Sequence, residues 1–458
     1  MALTTGALLS NYEQALKDFY LEPVQDQLNN ATVLMSLLDK NEKDVSGNNA
    51  IIDCHYGRTS GTGARGDGHS LPSAGRQLFK KATVPMKYNY GVVGFTGPTI
   101  AKTRDDRGAF VRVIESEISG LVNDIKKEVN RQMWGAGYGL LARWRTTASG
   151  TSYTLQKSYR SNTAGGDGFG SAFGAKYLKE NGSAVPVVLT VASSAITAAT
   201  VDATDIAVSA IAETNTAPAY DTVTVTDPAV TEAAGTFYVR PASMVTYNAS
   251  NNTGGARLEM MGLRGIVTNQ DIDEINLFNG AATAPHLDTL QGLDADSYSW
   301  WNAHVDSHPS GRYAGQRSLE FNLMQKMFDK VEITAGKDYG PNLIITTHAI
   351  RREYVELCRA DRRQINTMKL EGGFTAIEYN GIPLTVDEDA IDGEMYFLTT
   401  KDLQVYRMSD FEWMMKDGAI LARVAGYDAY EAVLFRYAEF GCNRRNSQGV
   451  ITDIYYEN

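Results

Sequence analysis

From Ala101 to Trp134 apolar residues recur every three or four positions, at Phe110, Ile114, Ile118, Leu121, Ile125, Val129 and Met133. Arg112, Glu115, Glu117, Asp124, Lys126, Lys127 and Glu128 fill the gaps. This is the period of one helix face, and it predicts the longest helix of the chain. Asp105 and Asp106 near its start and Arg131 near its end suit the helix dipole, and Gly135, Gly137 and Gly139 predict its stop. Helical spacing also marks Leu8, Leu9, Tyr12, Leu16 and Phe19, followed by Val24, Leu28, Val33, Leu34, Leu37 and Leu38. No second apolar face is available there to close a bundle, so residues 1–49 read as an arm with short helices rather than a small helical domain.

Two further segments, Ala50 to Tyr56 and Val84 to Phe95, read as strands. Between them Gly57 to Arg76 holds six glycines, three arginines and one large aliphatic residue, Leu71. Such a stretch cannot make a core, and loops longer than about 12–15 residues are usually functional. The economical geometry is a long two-stranded arm with a loose tip that packs little on its own domain and finds its contacts on another molecule.

From about Leu140 to Tyr247 Ala, Thr, Val, Ser and Gly dominate. Short alternating runs at Val187 to Val191, Ile206 to Ile211 and Val223 to Asp227 predict an inserted β-module over residues 180–245 rather than an Ala/Thr linker. An α/β pattern follows. Leu319, Leu323, Met327, Phe328 and Val331 mark a helix, Leu343 to Thr347 a buried strand, and Ile350, Tyr354, Leu357 and Cys358 another helix. Asn380-Gly381 has the chemistry of a two-residue hairpin turn. Strands are expected at Tyr396 to Leu398, Leu403 to Tyr406, Tyr430 to Cys442 and Gly449 to Tyr456.

That order resembles the major capsid proteins of tailed bacteriophages, the Hong Kong 97-like fold. The likeness is carried by the arm and long helix, and by GLRGIVTN with the later YSWWNAHV (Tyr298 to Val305). Leu370 to Asp389, Tyr396 to Tyr406 and Phe411 to Tyr455 extend it through the C-terminal half. The resemblance implies an α+β fold with an N-terminal arm (1–49) and an extended loop (50–95) lying over a neighbouring subunit. It further implies a peripheral domain (96–140 and 246–311) with a spine helix at 104–134, an axial α/β domain (312–430) and return strands (431–458). The inserted β-domain (180–245) lies outside the likeness. A coat protein of this kind assembles as pentamers and hexamers of an icosahedral virion shell around double-stranded DNA, inside the host cytoplasm. Portal and decoration proteins are its expected partners. Residues 1–49 are few for a built-in scaffold, so a separate scaffolding protein is expected.

Composition narrows the remaining choices. The 458 residues are 43% hydrophobic and 21% charged, with 43 Lys+Arg against 54 Asp+Glu and a formal charge of −11, so any contact with DNA is local and non-specific. Cys54, Cys358 and Cys442 are too few and too far apart for a disulfide framework. No secretory signal is visible at the N-terminus and no run of about 18 apolar residues occurs, so no membrane contact is expected.

The chemistry-bearing motifs are weak. Gly61 to Gly66 fits the dinucleotide fingerprint, but Asp67, Gly68, Pro72 and Gly75 follow where a helix is required. His304 and His308 have the spacing of a helical metal pair, without the glutamate and with Pro309 next. Cys54 and His55 fall on opposite faces of a strand. Asp387, Glu388 and Asp389 read as a solvated turn, and the aromatics at Tyr298 to Trp301 and Phe411 to Trp413 as packing rather than nucleic-acid stacking. No catalytic set, cofactor or metal is expected. Arg58, Arg65, Asp67, Arg76, Lys80 and Lys81 are the candidate inter-subunit contacts, by charge pairing with adjacent copies. Arg65-Gly66-Asp67 also supports an alternative, a surface adhesin using that loop and the β-module.

Overall fold

The computed structural model describes residues 33–42, 45–97, 107–137, 140–143, 152–156, 187–192, 195–201, 208–212, 220–225, 237–239, 259–269, 289–295, 297–309, 317–360, 367–369, 375–415, 420–424 and 426–456. The long helix runs Arg107–Trp134, and the Gly135 N–H closes it onto the carbonyls of Arg131 and Gln132. Ile118, Val122, Val129, Met133 and Trp134 are buried along its inner face. Arg131, 1% exposed, fastens the helix by ion pairs to Glu128 and to Glu259 of the segment that follows the β-module. The readings made for residues 1–32, Asp105, Asp106 and Gly139 lie outside the described residues.

A seven-stranded mixed sheet carries the C-terminal half. Its order is His304–Asp306, Gly449–Ile451, Met395–Leu398, Leu343–Thr346, Ile382–Val386, Thr375–Tyr379, Thr367–Lys369. Leu343–Thr346 is buried at every position, as its unbroken apolar run predicts. The helices Phe321–Ala335 and His348–Ala360 bury Met324, Met327, Val331, Ile350, Tyr354 and Cys358 in the same core. Asn380 and Gly381 both take positive φ, 50° and 80°, and place Tyr379 opposite Ile382, the hairpin that the dipeptide predicts. The last predicted strand is shorter than expected, Gly449–Ile451, with an isolated bridge from Arg317 to Ile454.

In the second sheet the strand Ala429–Cys442 is central. Leu403–Trp413 and Ala422–Arg423 pair with it, Lys87–Thr96 pairs along it on the other edge, and Asp39–Asn41 adds to Leu403–Trp413. The long helix lies on one face of this sheet. A Cβ on Gly91 would sit 2.2 Å from Cδ1 of Ile125, so the close approach of strand and helix depends on that glycine.

Four expectations need correction. Val84 to Phe95 is not one strand of the arm. Asn49–Gly57 pairs with Leu78–Pro85, and Lys87–Thr96 belongs to the second sheet. Buried positions fall on Ala82, Val84 and Met86 and then shift to Gly91, Val93 and Phe95; this slip of one residue turns the chain onto a different surface. The β-module begins upstream of residue 180. Ser152–Gln156 pairs with Tyr220–Val225, and Leu140–Arg143 with Phe237–Val239, so its entry and exit strands lie side by side.

Of the turn at Asp387, Glu388 and Asp389 only Glu388 is solvated. Asp387 and Asp389 are 4% and 9% exposed, and Nδ2 of Asn130 on the long helix donates to both. Burial raises the pKa of Asp387. Val33–Leu37 is likewise no free arm, because Leu34, Met35 and Leu38 join the main core.

Candidate functional site

The arm alternates inward and outward positions. Its inner face carries Ala50, Ile52, Cys54, Ala82 and Val84, which pack on Tyr406, Met86, Leu293 and Trp301. Its root is clamped by a second hairpin, Thr289–Leu290 with Leu293–Asp294, whose turn residues Gln291 and Gly292 have φ of 53° and 79°. The Thr83 N–H donates to the Gln291 carbonyl at 2.6 Å. Tyr56 stacks on Trp300 with ring centroids 4.9 Å apart. The root therefore packs on its own subunit more than the sequence suggests, and Trp301 is core, as expected of that aromatic run.

Beyond Gly57 and Leu78 the arm leaves the body. Gly61 and Gly75 bring the two chains of the tip together: a Cβ on Gly75 would lie 2.7 Å from the backbone nitrogens of Ser60 and Gly61. At the far end Gly66 to His69 forms a turn, closed by the His69 N–H on the Gly66 carbonyl at 3.2 Å with Gly68 at φ 75°. The tip is therefore shaped rather than shapeless, and Arg65-Gly66-Asp67 sits at its apex. No helix follows Gly66, which removes the dinucleotide reading.

The six candidate residues divide by position. Arg58, Arg65, Asp67 and Arg76 are exposed in the tip, and Lys81 is exposed on the outer face of the arm, opposite Asp53. Lys80 points inward, its Nζ 5.0 Å from the ring centroid of Tyr298, so it is engaged within its own subunit. Among the described residues none of the six forms an ion pair. Cys54 is buried and His55 exposed, on opposite faces. Outward-facing Ile51, Phe79 and the tip residue Leu71 are 53%, 63% and 85% exposed. These apolar residues went unnamed among the candidate contacts, although alternation along two short strands marks Ile51 and Phe79.

His304 lies in a strand, not a helix, which dissolves the metal pair with His308. Between them Asp306 accepts from Arg317 Nη1 and Lys326 Nζ, each at 2.8 Å. Burial pushes the Asp306 carboxyl up, but the hydrogen bonds and charges of Lys326 and Arg317 outweigh it and hold the pKa below its ordinary 3.8. A carboxylate with a depressed folded pKa stabilises fully above its unfolded pKa and loses that contribution as pH falls through the folded one. The stability difference between wild type and Asp306→Asn, from urea unfolding, is therefore expected to be constant above about pH 5 and to shrink below about pH 4.

No protein-family model and no curated protein matches the chain. Solved structures do. A chain of the cyanophage A-1(L) capsid asymmetric unit superposes with a TM-score of 0.51 at 12% identity, covering 93% of both chains. Others are the capsid of Myoviridae phage XM1 (0.41, 5% identity, 92% of this chain and 91% of that one) and Mycobacterium phage Bobi (0.40, 7%, 92% and 90%). The cyanophage match covers 93% of the chain, so the chain has the mixed α+β fold of a phage capsid chain.

Proposed function

We propose that the protein is a major capsid protein of the Hong Kong 97 type. It builds pentamers and hexamers of an icosahedral phage head around double-stranded DNA, and its work is binding rather than turnover. The observation that carries this reading is the arm: a hairpin that leaves its own body, with exposed Ile51, Phe79 and Leu71 and arginines without an ion pair, on a fold that matches a cyanophage capsid chain over 93% of its length. Surfaces of that kind gain stability when copies of the chain cover them. In this reading residues 50–95 include the extended loop, Arg107–Trp134 is the spine helix, and residues 312–430 supply most of the axial domain, apart from Leu403–Trp413 and Ala422–Arg423, which pair in the second sheet. DNA is enclosed without a specific site, consistent with the charge of −11. Scaffolding, portal and decoration proteins are the partners that a head of this type requires, and assembly takes place in the host cytoplasm.

Negative-stain electron microscopy of the purified protein, alone and co-expressed with a scaffolding protein, is expected to show closed shells of uniform diameter. Monodisperse monomers under every assembly condition would overturn the reading.

A further inference from the structure

We infer that the second sheet holds a small monovalent anion of the halide class, bound between Arg436, Asn89 and Arg407 on the face that carries the long helix. Arg436 projects from the central strand on the same side as Leu434, whose register partner is Gly91 beneath Ile125, and it is 0% exposed. Its Nε, Nη1 and Nη2 have no hydrogen-bond partner. Asp410 Oδ1 lies 3.7 Å from Nε, and the Phe411 ring centroid is 5.0 Å from the guanidinium carbon. Asn89 stands opposite Arg436 in the strand register, and its buried Nδ2 also lacks a partner. On the next strand Arg407 bonds Asp410 through Nη1 and Glu42 through Nη2, and its Nε is again buried without a partner. Three neighbouring strands thus contribute donors, and no acceptor among the described residues answers them.

Charge and room decide the class of ligand. A buried charge is tolerated when it is paired and hydrogen-bonded, and a set of orphaned buried donors calls for an ordered water or an ion. Burial lowers the Arg436 pKa to about 10, so the guanidinium is still charged at neutral pH. Water, which donates as well as accepts, leaves that charge standing; an anion cancels it. Asp410 does not, because it is shared: it accepts from Arg407 and lies 3.9 Å from Lys40 Nζ as well as 3.7 Å from Arg436. Arg436 therefore brings one charge without a hydrogen-bonded counter-ion, and one negative charge answers it. A divalent phosphate or sulfate would be repelled by Asp410 and Glu42 and would bring four oxygens to a guanidinium that is fully enclosed. Chloride or bromide is spherical and accepts from several donors at once without a preferred direction. Entry is from the rim, where Lys40 is exposed and Arg407 and Asp410 are half-buried.

The test titrates the full-length chain with sodium chloride against sodium gluconate at constant ionic strength, so that screening stays fixed. The wild-type melting temperature is expected to climb by at least about 3 °C and then level off, as binding to the folded state requires. The chloride NMR line is expected to broaden in the presence of the protein and to sharpen when bromide displaces the bound ion. Asn89→Leu removes one donor from a half-buried position and leaves the charge in place. Its chloride concentration at half-effect is expected to rise at least about tenfold, the loss of one hydrogen bond to a charged group. Arg436→Met is expected to abolish the response; if that variant does not fold, Asn89→Leu and the wild-type line decide. A wild-type melting temperature that is flat or rises without levelling, or a chloride line that the protein does not broaden, would mean that water alone meets these donors and would overturn the site. An unchanged half-effect concentration in Asn89→Leu would overturn it as well. The measurements read the folded chain whether or not it forms shells, so their failure and that of the coat-protein reading are separate results.

Discussion

A chain in which residues 58–77 are replaced by a two-residue Asn-Gly turn is expected to fold as the full-length subunit does and to lose most of its shells. Nothing in the tip contributes to a core: Arg58, Arg65, Asp67, Leu71 and Arg76 are all exposed, and the tip's own closing contacts run between Gly61 and Gly75 and across the turn from Gly66 to His69. The arm root is held independently by Cys54, Ala82, Leu293 and Trp301, and the register at Gly57 opposite Leu78 leaves a closed end for a short turn. Shortening a flexible loop also lowers the entropy cost of closing it. The melting temperature of the subunit should therefore stay within about 2 °C of wild type. Shell yield by electron microscopy should fall at least about tenfold, because Arg58, Arg65, Asp67, Leu71 and Arg76 are removed at once. A shortened chain that melts well below wild type would show that the tip packs on its own body.

The second large effect is expected at Trp134. It ends the long helix with its side chain fully buried, its ring 5.5 Å from that of Tyr396 in an edge-to-face arrangement, and so it joins the helix to the middle of the seven-stranded sheet. Trp134→Ala should cost about 3–5 kcal/mol through lost contacts and the cavity left behind. Trp134→Phe should cost much less, because the indole Nε1 has no hydrogen-bond partner to lose and the aromatic edge contact survives. Urea unfolding of the subunit measures both. Equal losses for the two replacements would mean that packing at this junction depends on the indole shape rather than on filled volume.

What could be read from the amino-acid pattern was local. The long helix, the buried strand Leu343–Thr346 and the Asn380-Gly381 hairpin each rest on a few neighbouring residues, and the structure has all three. What could not be read was set by distant partners. Nothing near Asp387 announces that Asn130, 257 positions earlier, will draw it into the interior, so an acidic triplet reads as surface. The change of partner at Met86 leaves only a one-residue slip of alternation, easily lost within a longer apolar run. At the candidate site the charged residues of the arm were legible because glycine-rich surroundings exclude them from a core. The cluster around Arg436 was not, because its members lie in separate parts of the chain.

That separation has a temporal consequence. Tyr88 pairs with Tyr437 and Thr96 with Ala429, so the sheet on which the long helix lies acquires its central strand only after more than 300 further residues have been synthesised. Each growing chain therefore carries both strands of its arm long before Lys87–Thr96 has the strand it pairs with.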